Sequence, residues 1–418
     1  MMRYILGSFI VMFASYSDIF LYRIGINPAT PSKLVIPLFI VCGFLAYPLK
    51  DLIASAKSHS FKLLALILVL SMVYAPISKA SSTIIIEKIS LNTITLLMYL
   101  VTLHFFRTEK KELVRWVLIA SVVVLGGSVI YDFLVGLPAY NATLAQKVRK
   151  GGFGENPNQA ATGIKFLTLA ALVFLTEKAK LRYLVFAVMF ISVFLTFSRS
   201  GLLSIVLIAA MGVMNNWKND FQQSIVSMIS RSMKVVIFFL VMFVALISLA
   251  DVIRANFPQF TRGDAGKRLD LLTGKVDKQD LQHQATEGGR TDLVFIYFDE
   301  FLSNPFGYGT GHSSDKLANG DKLNTHNYFL YLGINLGIIA LAAYLYYIAL
   351  NIKLSIKYDQ YFYLVFAILF MLEGIFTHNL LHERPIIVCL ALFDSTIYRK
   401  KFIESINALG AINKINLQ

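Results

Sequence analysis

The sequence predicts an all-α polytopic membrane protein of about twelve transmembrane helices, with one large outer loop between spans nine and ten. Three observations predict it. The chain has 418 residues, of which 56% are hydrophobic and only 15% charged, against roughly 25% charged in a soluble domain, and its mean hydropathy is +0.63. Apolar runs of about 15 to 24 residues recur between short basic connectors, the length that a hydrocarbon core of ~30 Å imposes on a helix. These runs are continuous rather than alternating, and backbone groups in lipid must pair internally, so helices are favoured over a barrel. The whole chain, 1–418, reads as a single integral membrane domain.

Taken in order, the first run, 4–22, follows only Arg3 and lacks a small-residue cleavage site, which reads as a retained signal anchor. Further spans are expected near 34–49, 63–78, 89–106, 116–136, 160–176, 183–197, 201–216 and 235–251. After a long polar break, the last three are expected near 327–350, 362–381 and 385–398. A smaller outer loop, 137–159, carries Lys147, Arg149 and Lys150 and then Gly151-Gly152-Phe153-Gly154-Glu155-Asn156-Pro157-Asn158-Gln159, a run suited to turn sharply and expose backbone amides.

The polar break, 252–325, holds nine basic and ten acidic residues and is therefore not a polyelectrolyte tail. Within it, Leu293 to Leu302 is strongly apolar yet carries Asp299 and Glu300 and is too short to span, which predicts an amphipathic helix at the membrane interface or over the bundle. Asn304-Pro305 ends that helix, and Gly307-Tyr308-Gly309-Thr310-Gly311 supplies a tightly turning, flexible connection. The loop as a whole reads as a lid at the mouth of the bundle.

Counting Lys and Arg on alternate sides gives about twenty inside and about nine in the short outer loops if the N-terminus is inside. Both termini are thus expected in the cytoplasm and the long loop outside. The net charge of +14 is dispersed among connectors, which fits topology and contact with anionic membrane lipids rather than nucleic acid. The two cysteines, Cys42 and Cys389, lie inside apolar runs and support neither a disulfide framework nor a zinc site.

Few residues stand out chemically. Arg199, in Phe197-Ser198-Arg199-Ser200-Gly201, lies between two apolar runs, where a guanidinium can grip phosphate in a forked geometry; a snorkelling arginine in a tight connection is the competing reading. Arg290 follows Gly288-Gly289 at the start of the amphipathic segment, where helix amides and a guanidinium together suit an anion, against a merely solvated loop arginine. His326 opens the span beginning Asn327-Tyr328; its imidazole can accept a proton near neutral pH, or it can be a structural cap. His378 and His382, four apart near the end of span eleven, would share one helix face, an arrangement better suited to lining a polar mouth than to binding metal. Asp18, Lys165 and Glu373 are ionisable groups within apolar runs, with paired structural roles as the alternative.

The order Asn-Pro-Asn-Gln (156–159), Ser-Arg-Ser-Gly (198–201), Gly-Gly-Arg-Thr (288–291), Asn-Pro-Phe-Gly-Tyr-Gly-Thr-Gly (304–311) and Thr-His-Asn-Tyr-Phe-Leu, followed by Gly333 and Gly337, resembles the O-antigen ligase and polymerase superfamily. The resemblance runs over about residues 150–350; the rest matches only as apolar spans. It implies a metal-independent, inverting, integral-membrane glycosyltransferase that needs no cofactor. The donor would be a glycan on undecaprenyl diphosphate, used at the periplasmic face of the bacterial inner membrane. The acceptor would be lipid A-core for a ligase or a second lipid-linked repeat unit for a polymerase, with a chain-length regulator protein as a further partner. Carried over by motif, Arg199 and Arg290 would hold the diphosphate and His326 would activate the acceptor hydroxyl. Asn158, Asn327 and Arg149 are expected beside them as binding residues for diphosphate or glycan.

Three functions compete. The first is a ligase that attaches O-antigen in lipopolysaccharide biosynthesis, and the second a repeat-unit polymerase, towards which the short separation of Arg290 and His326 weighs. The third is a lipid-linked oligosaccharide flippase, which would concentrate charge at mid-bilayer and show repeat symmetry, whereas here the distinctive polar residues cluster at span ends.

Overall fold

The computed structural model describes residues 1–31, 33–138, 149–154, 156–175, 179–198, 200–202, 204–205, 207–208, 233, 237, 244, 255, 290–320, 322, 324–358 and 360–397. Among the described residues the regular structure is helical throughout, with no strand. In chain order the helices are α1 (Met2–Ala14), α2 (Ser17–Arg23), α3 (Val35–Ala46), α4 (Leu49–Ser55), α5 (His59–Val73), α6 (Ser82–Thr108) and α7 (Lys111–Leu134). Then follow α8 (Pro157–Leu172), α9 (Ala179–Leu195), α10 (Arg290–Ser303), α11 (Tyr328–Lys357) and α12 (Tyr361–Phe376), and a last helix, α13, over 384–397.

Among the described residues α6, α7 and α11 are long and apolar enough to cross a membrane, and two bent pairs, α1 with α2 and α3 with α4, raise the number to five. α5 and α12 are shorter apolar helices. The chain is a multi-pass membrane protein. The expected spans near 201–216 and 235–251 lie mostly outside the described residues, as does 256–289 of the long loop. Where span two was expected, α3 stops at Ala46 and the chain turns by 109° into α4. Pro48 stands at the break, its ring unable to donate to a continuing helix.

The chain divides into two compact units, one comprising Met1–Phe13, Ala29–Val117 and Leu293–Gln418, the other Ala14–Pro28 and Leu118–Asp292. In the first unit α11 packs against α5 and α12, and α6 against α3, α4 and α5. Side chains start these helices: Ser58 Oγ accepts from the Phe61 amide at the head of α5, and Asn327 Oδ1 accepts from the Leu330 amide at the head of α11, satisfying amides that have no partner in the first turn. Beside the head of α5, a buried carboxylate gathers the helices. Asp394 Oδ2 accepts from Tyr99 Oη of α6 at 2.6 Å and from the Ser60 amide of α5 at 3.0 Å. Tyr363 of α12 reaches Asp394 Oδ1 at 3.5 Å, and Ser60 Oγ bonds Tyr347 Oη of α11. Glu109, after α6, ties in α1 and α3 through Arg3 at 3.3 Å and the Tyr47 hydroxyl at 3.1 Å.

α11 is not one straight helix. It breaks at Gly337, whose φ of 73° and ψ of −175° are non-helical. The break frees the Ile334 carbonyl and the Ile338 amide, and the segment after α10 fills both positions: Tyr308 N donates to Ile334 O at 2.7 Å, and Ile338 N donates to Pro305 O at 2.8 Å. Gly307 and Gly337 meet backbone to backbone, and a Cβ on Gly337 would strike the Phe306 carbonyl. Gly309 lies likewise against the backbone of Ser78, and Thr310 bonds Ser71 O through its hydroxyl and Tyr74 O through its amide. The glycine-rich run expected to be a flexible connection is therefore a docked one.

The second unit holds α2, α8, α9 and the larger part of α7. Asn156 caps α8, with Pro157 in its first turn. Ser192 of α9 donates to Gly126 O of α7 at 3.1 Å, and Gly201 sits so close to Val193 and Ala161 that no side chain fits.

Candidate functional site

His326 stands at the head of α11, one residue before the capping Asn327. Its φ is +46°, a left-handed conformation that costs a non-glycine residue roughly 1–3 kcal/mol and persists only where surrounding contacts enforce it. Two contacts do so: Thr325 Oγ1 donates to Asn327 O at 3.1 Å, and Asn327 is fixed by its own cap. Asn327 thus serves the backbone of α11 and sets the direction from which His326 leaves the helix.

The His326 ring meets His378 edge to face, with centroids 5.4 Å apart and an interplanar angle of 81°. His378 comes from the connection between α12 and α13. α12 ends at Phe376, Thr377 is extended and Leu380–His382 form a 3-10 turn, so the expectation that His378 and His382 share a helix face is corrected. The reason is local: the helix period stops at Thr377, and the four-residue spacing no longer has a helical meaning. His382 Nε2 donates to Asn92 Oδ1 at 2.7 Å, Asn92 Nδ2 to Ser71 Oγ at 2.9 Å, and Ser71 Oγ to Ile67 O at 2.7 Å. Burial first, then the neighbouring His326 and Lys88, pull the His378 pKa down to about 4. For His382, burial, Lys88 and His378 together pull it down to about 3. Both rings are neutral at physiological pH. A small cleft is lined by His382 with Lys88, Asn92, Thr310, Tyr331 and Asn335. Asn92 and Ser71 escape sequence reasoning because they lie within apolar runs, where a polar residue every turn or so on one face is the available signal, and Lys88 because it reads as a charge of the outer connector before the span expected near 89–106.

A second polar cluster joins α10 to the segment after it. Glu300 accepts from His312 Nε2 at 2.9 Å and from Lys322 Nζ at 2.8 Å. His312 stacks on Tyr308, centroids 4.7 Å apart. Burial raises the Glu300 pKa, but the hydrogen bonds from His312 and Lys322 outweigh it and hold the carboxyl below the usual range. Beside this cluster on α10, Tyr297 and Phe301 pack with Ile334 of α11, and Phe301 covers Gly333. α10 occupies the segment where a helix is expected and leaves Phe295, Ile296, Phe298 and Leu302 exposed.

In the second unit Arg149 and Asn158 come together: Arg149 donates to Asn158 Oδ1 at 2.8 Å and through Nε to Thr196 O at 3.0 Å. The amides expected to be open in the run after them are used. Gly152 N donates to Asp132 Oδ2 at 3.1 Å and Phe153 N to Ser128 Oγ at 3.0 Å, because Gly152 at φ +56° folds the run back onto α7. Ser198 Oγ accepts from the Gly201 amide at 3.3 Å. Arg199 lies outside the described residues, and Arg290 is described by its backbone alone, as the first residue of α10. Of the other ionisable residues within apolar runs, Lys165 reaches Ser204 Oγ at 3.4 Å, while Asp18 and Glu373 are buried in α2 and α12.

Residues 184–345 match the family whose model is described as O-antigen ligase. That segment includes Arg199, Arg290, His326 and Asn327 and leaves out Arg149, Asn158, His378 and His382. No curated protein matches the chain significantly.

Proposed function

We propose that this chain, which through residues 184–345 belongs with the O-antigen ligase and polymerase superfamily, is an inverting glycosyltransferase of the bacterial inner membrane. It transfers a glycan from undecaprenyl diphosphate to a sugar hydroxyl of lipid A-core, at the periplasmic face, with both termini in the cytoplasm. The observation that carries the reading is the strained His326 at the head of α11, its ring held against a neutral imidazole. Strain of this kind is kept where a side chain has to be aimed.

In the reaction the acceptor oxygen attacks the anomeric carbon from the face opposite the diphosphate. The carbon–oxygen bond to the diphosphate breaks with its electron pair, and the hydroxyl proton passes to His326. Arg199 and Arg290 stabilise the charge growing on the leaving diphosphate, where scarce water makes each guanidinium count for more. Asn158, Asn327 and Arg149 assist in binding the diphosphate or the glycan, and no metal takes part.

The second reading, a repeat-unit polymerase, is favoured by the short segment between Arg290 and His326. The lipopolysaccharide profile of a deletion strain separates the two: polymer left on the carrier with none on core means ligase, and one repeat unit on core means polymerase. His326→Ala should abolish transfer while leaving the protein inserted and folded. Unaltered transfer by that variant would sink both readings of His326.

A further inference from the structure

We propose that His378 is a positioning residue, which holds the His326 imidazole in its reactive orientation through the edge-to-face ring contact. The inference rests on the reading of His326 as the base. His378 lies outside the segment matched by the family, and its place comes from the turn between α12 and α13.

That turn is rigid. Thr377 leaves the helix in an extended conformation, its hydroxyl accepts from the Asn379 amide at 3.4 Å, and three residues later His382 is anchored to Asn92 and through it to Ser71. The His378 ring is thus presented from a fixed frame. His326 by contrast meets α11 in a left-handed conformation, so its backbone is set, and a wall beside the ring would set the ring as well. An edge-to-face neighbour supplies one, since aromatic pairs hold a preferred geometry beyond simple packing. His378 Nδ1 is buried without a hydrogen-bond partner among the described residues, which fits a ring that serves as a surface.

A neutral wall also suits the chemistry. When the acceptor oxygen bonds to the anomeric carbon, its proton makes His326 an imidazolium. A cationic neighbour would oppose that step, and a neutral ring does not. His378 itself takes no proton and makes no bond to substrate.

The test uses the full-length protein in proteoliposomes, with undecaprenyl-diphosphate-linked glycan extracted from the producing cells as donor and their lipid A-core as acceptor. His378→Ala should lower kcat by about 10- to 100-fold, the range expected for a misplaced reacting group, with KM changed by no more than about twofold. His378→Phe keeps the ring and should restore kcat to within about threefold of wild type. A wild-type kcat for His378→Ala, or equal losses for Ala and Phe, would overturn the proposal. A second measurement needs no transfer: the rate at which diethyl pyrocarbonate modifies His326, followed by peptide mass spectrometry. It should change severalfold in His378→Ala and stay at the wild-type value in His378→Phe. An unchanged rate in the alanine variant overturns the positioning role, whereas transfer missing from wild type, with the rates changing as stated, overturns only the assignment of His326 as base.

Discussion

The amide of Tyr308 donates to the carbonyl of Ile334 at 2.7 Å, across the break that Gly337 makes in α11. Loop and membrane helix are therefore one hydrogen-bonded object, and the glycines at the contact are there because two backbones touch.

Gly337→Ala should destabilise the purified protein by roughly 3 kcal/mol, from a strained φ and a clash with the Phe306 carbonyl. Gly127→Ala is the control, because its Cβ would meet nothing within 4 Å, and helix propensity predicts a neutral or slightly stabilising change. Thermal unfolding in detergent checks both; equal melting temperatures for the two variants would refute the account.

Asp394→Ala should cost roughly 3 kcal/mol, because it leaves the Tyr99 hydroxyl and the Ser60 amide without their carboxylate inside the bundle. Asp394→Asn keeps an accepting oxygen and should lose less. The ordering alanine, asparagine, wild type in melting temperature is the readout, and an asparagine variant as weak as alanine would contradict it.

Glu300 provides a pH signature. Its folded pKa lies below the ordinary 4.5, so the stability it contributes is fully present above that value and is lost as pH falls through the lower folded pKa. Glu300→Gln should lower the melting temperature at pH 7 and flatten its decline below about pH 4.5. Parallel wild-type and mutant melting curves over that window would show that His312 and Lys322 do not stabilise the carboxylate.

Arg290→Lys should reduce transfer by roughly 100-fold, since an ammonium cannot make the two parallel bonds of a guanidinium to a diphosphate. Wild-type turnover by the lysine variant would mean that charge alone suffices at this position.

Much of this was legible in the chain. Continuous apolar runs marked the helices that became α5 to α9, α11 and α13, and the charged apolar segment at 293–302 marked α10. The place of His326 at the head of a helix was legible because it sits between a polar loop and an apolar run. The break at Gly337 was not, since hydrophobicity continues through it and the compensating bonds come from residues about thirty positions earlier. Asp394 was hidden for a related reason: a carboxylate near a span end reads as interfacial until its tyrosine partners, from two other helices, are seen around it. His378 and His382 misled because four-residue spacing implies a shared face only while the helix lasts, and α12 stops at Phe376.

The docking of 305–308 onto α11 also limits what can move during turnover. Pulling that segment away would strand the Ile334 carbonyl and the Ile338 amide in the middle of a membrane helix, at a cost of several kcal/mol, and would also uncover Tyr297 and Phe301. A lid cycling at that expense would be slow. On the proposed function, the described residues from Leu293 to Ile338 would stand as fixed masonry, past which a long lipid-borne sugar chain is threaded and released without that wall being rebuilt at each round.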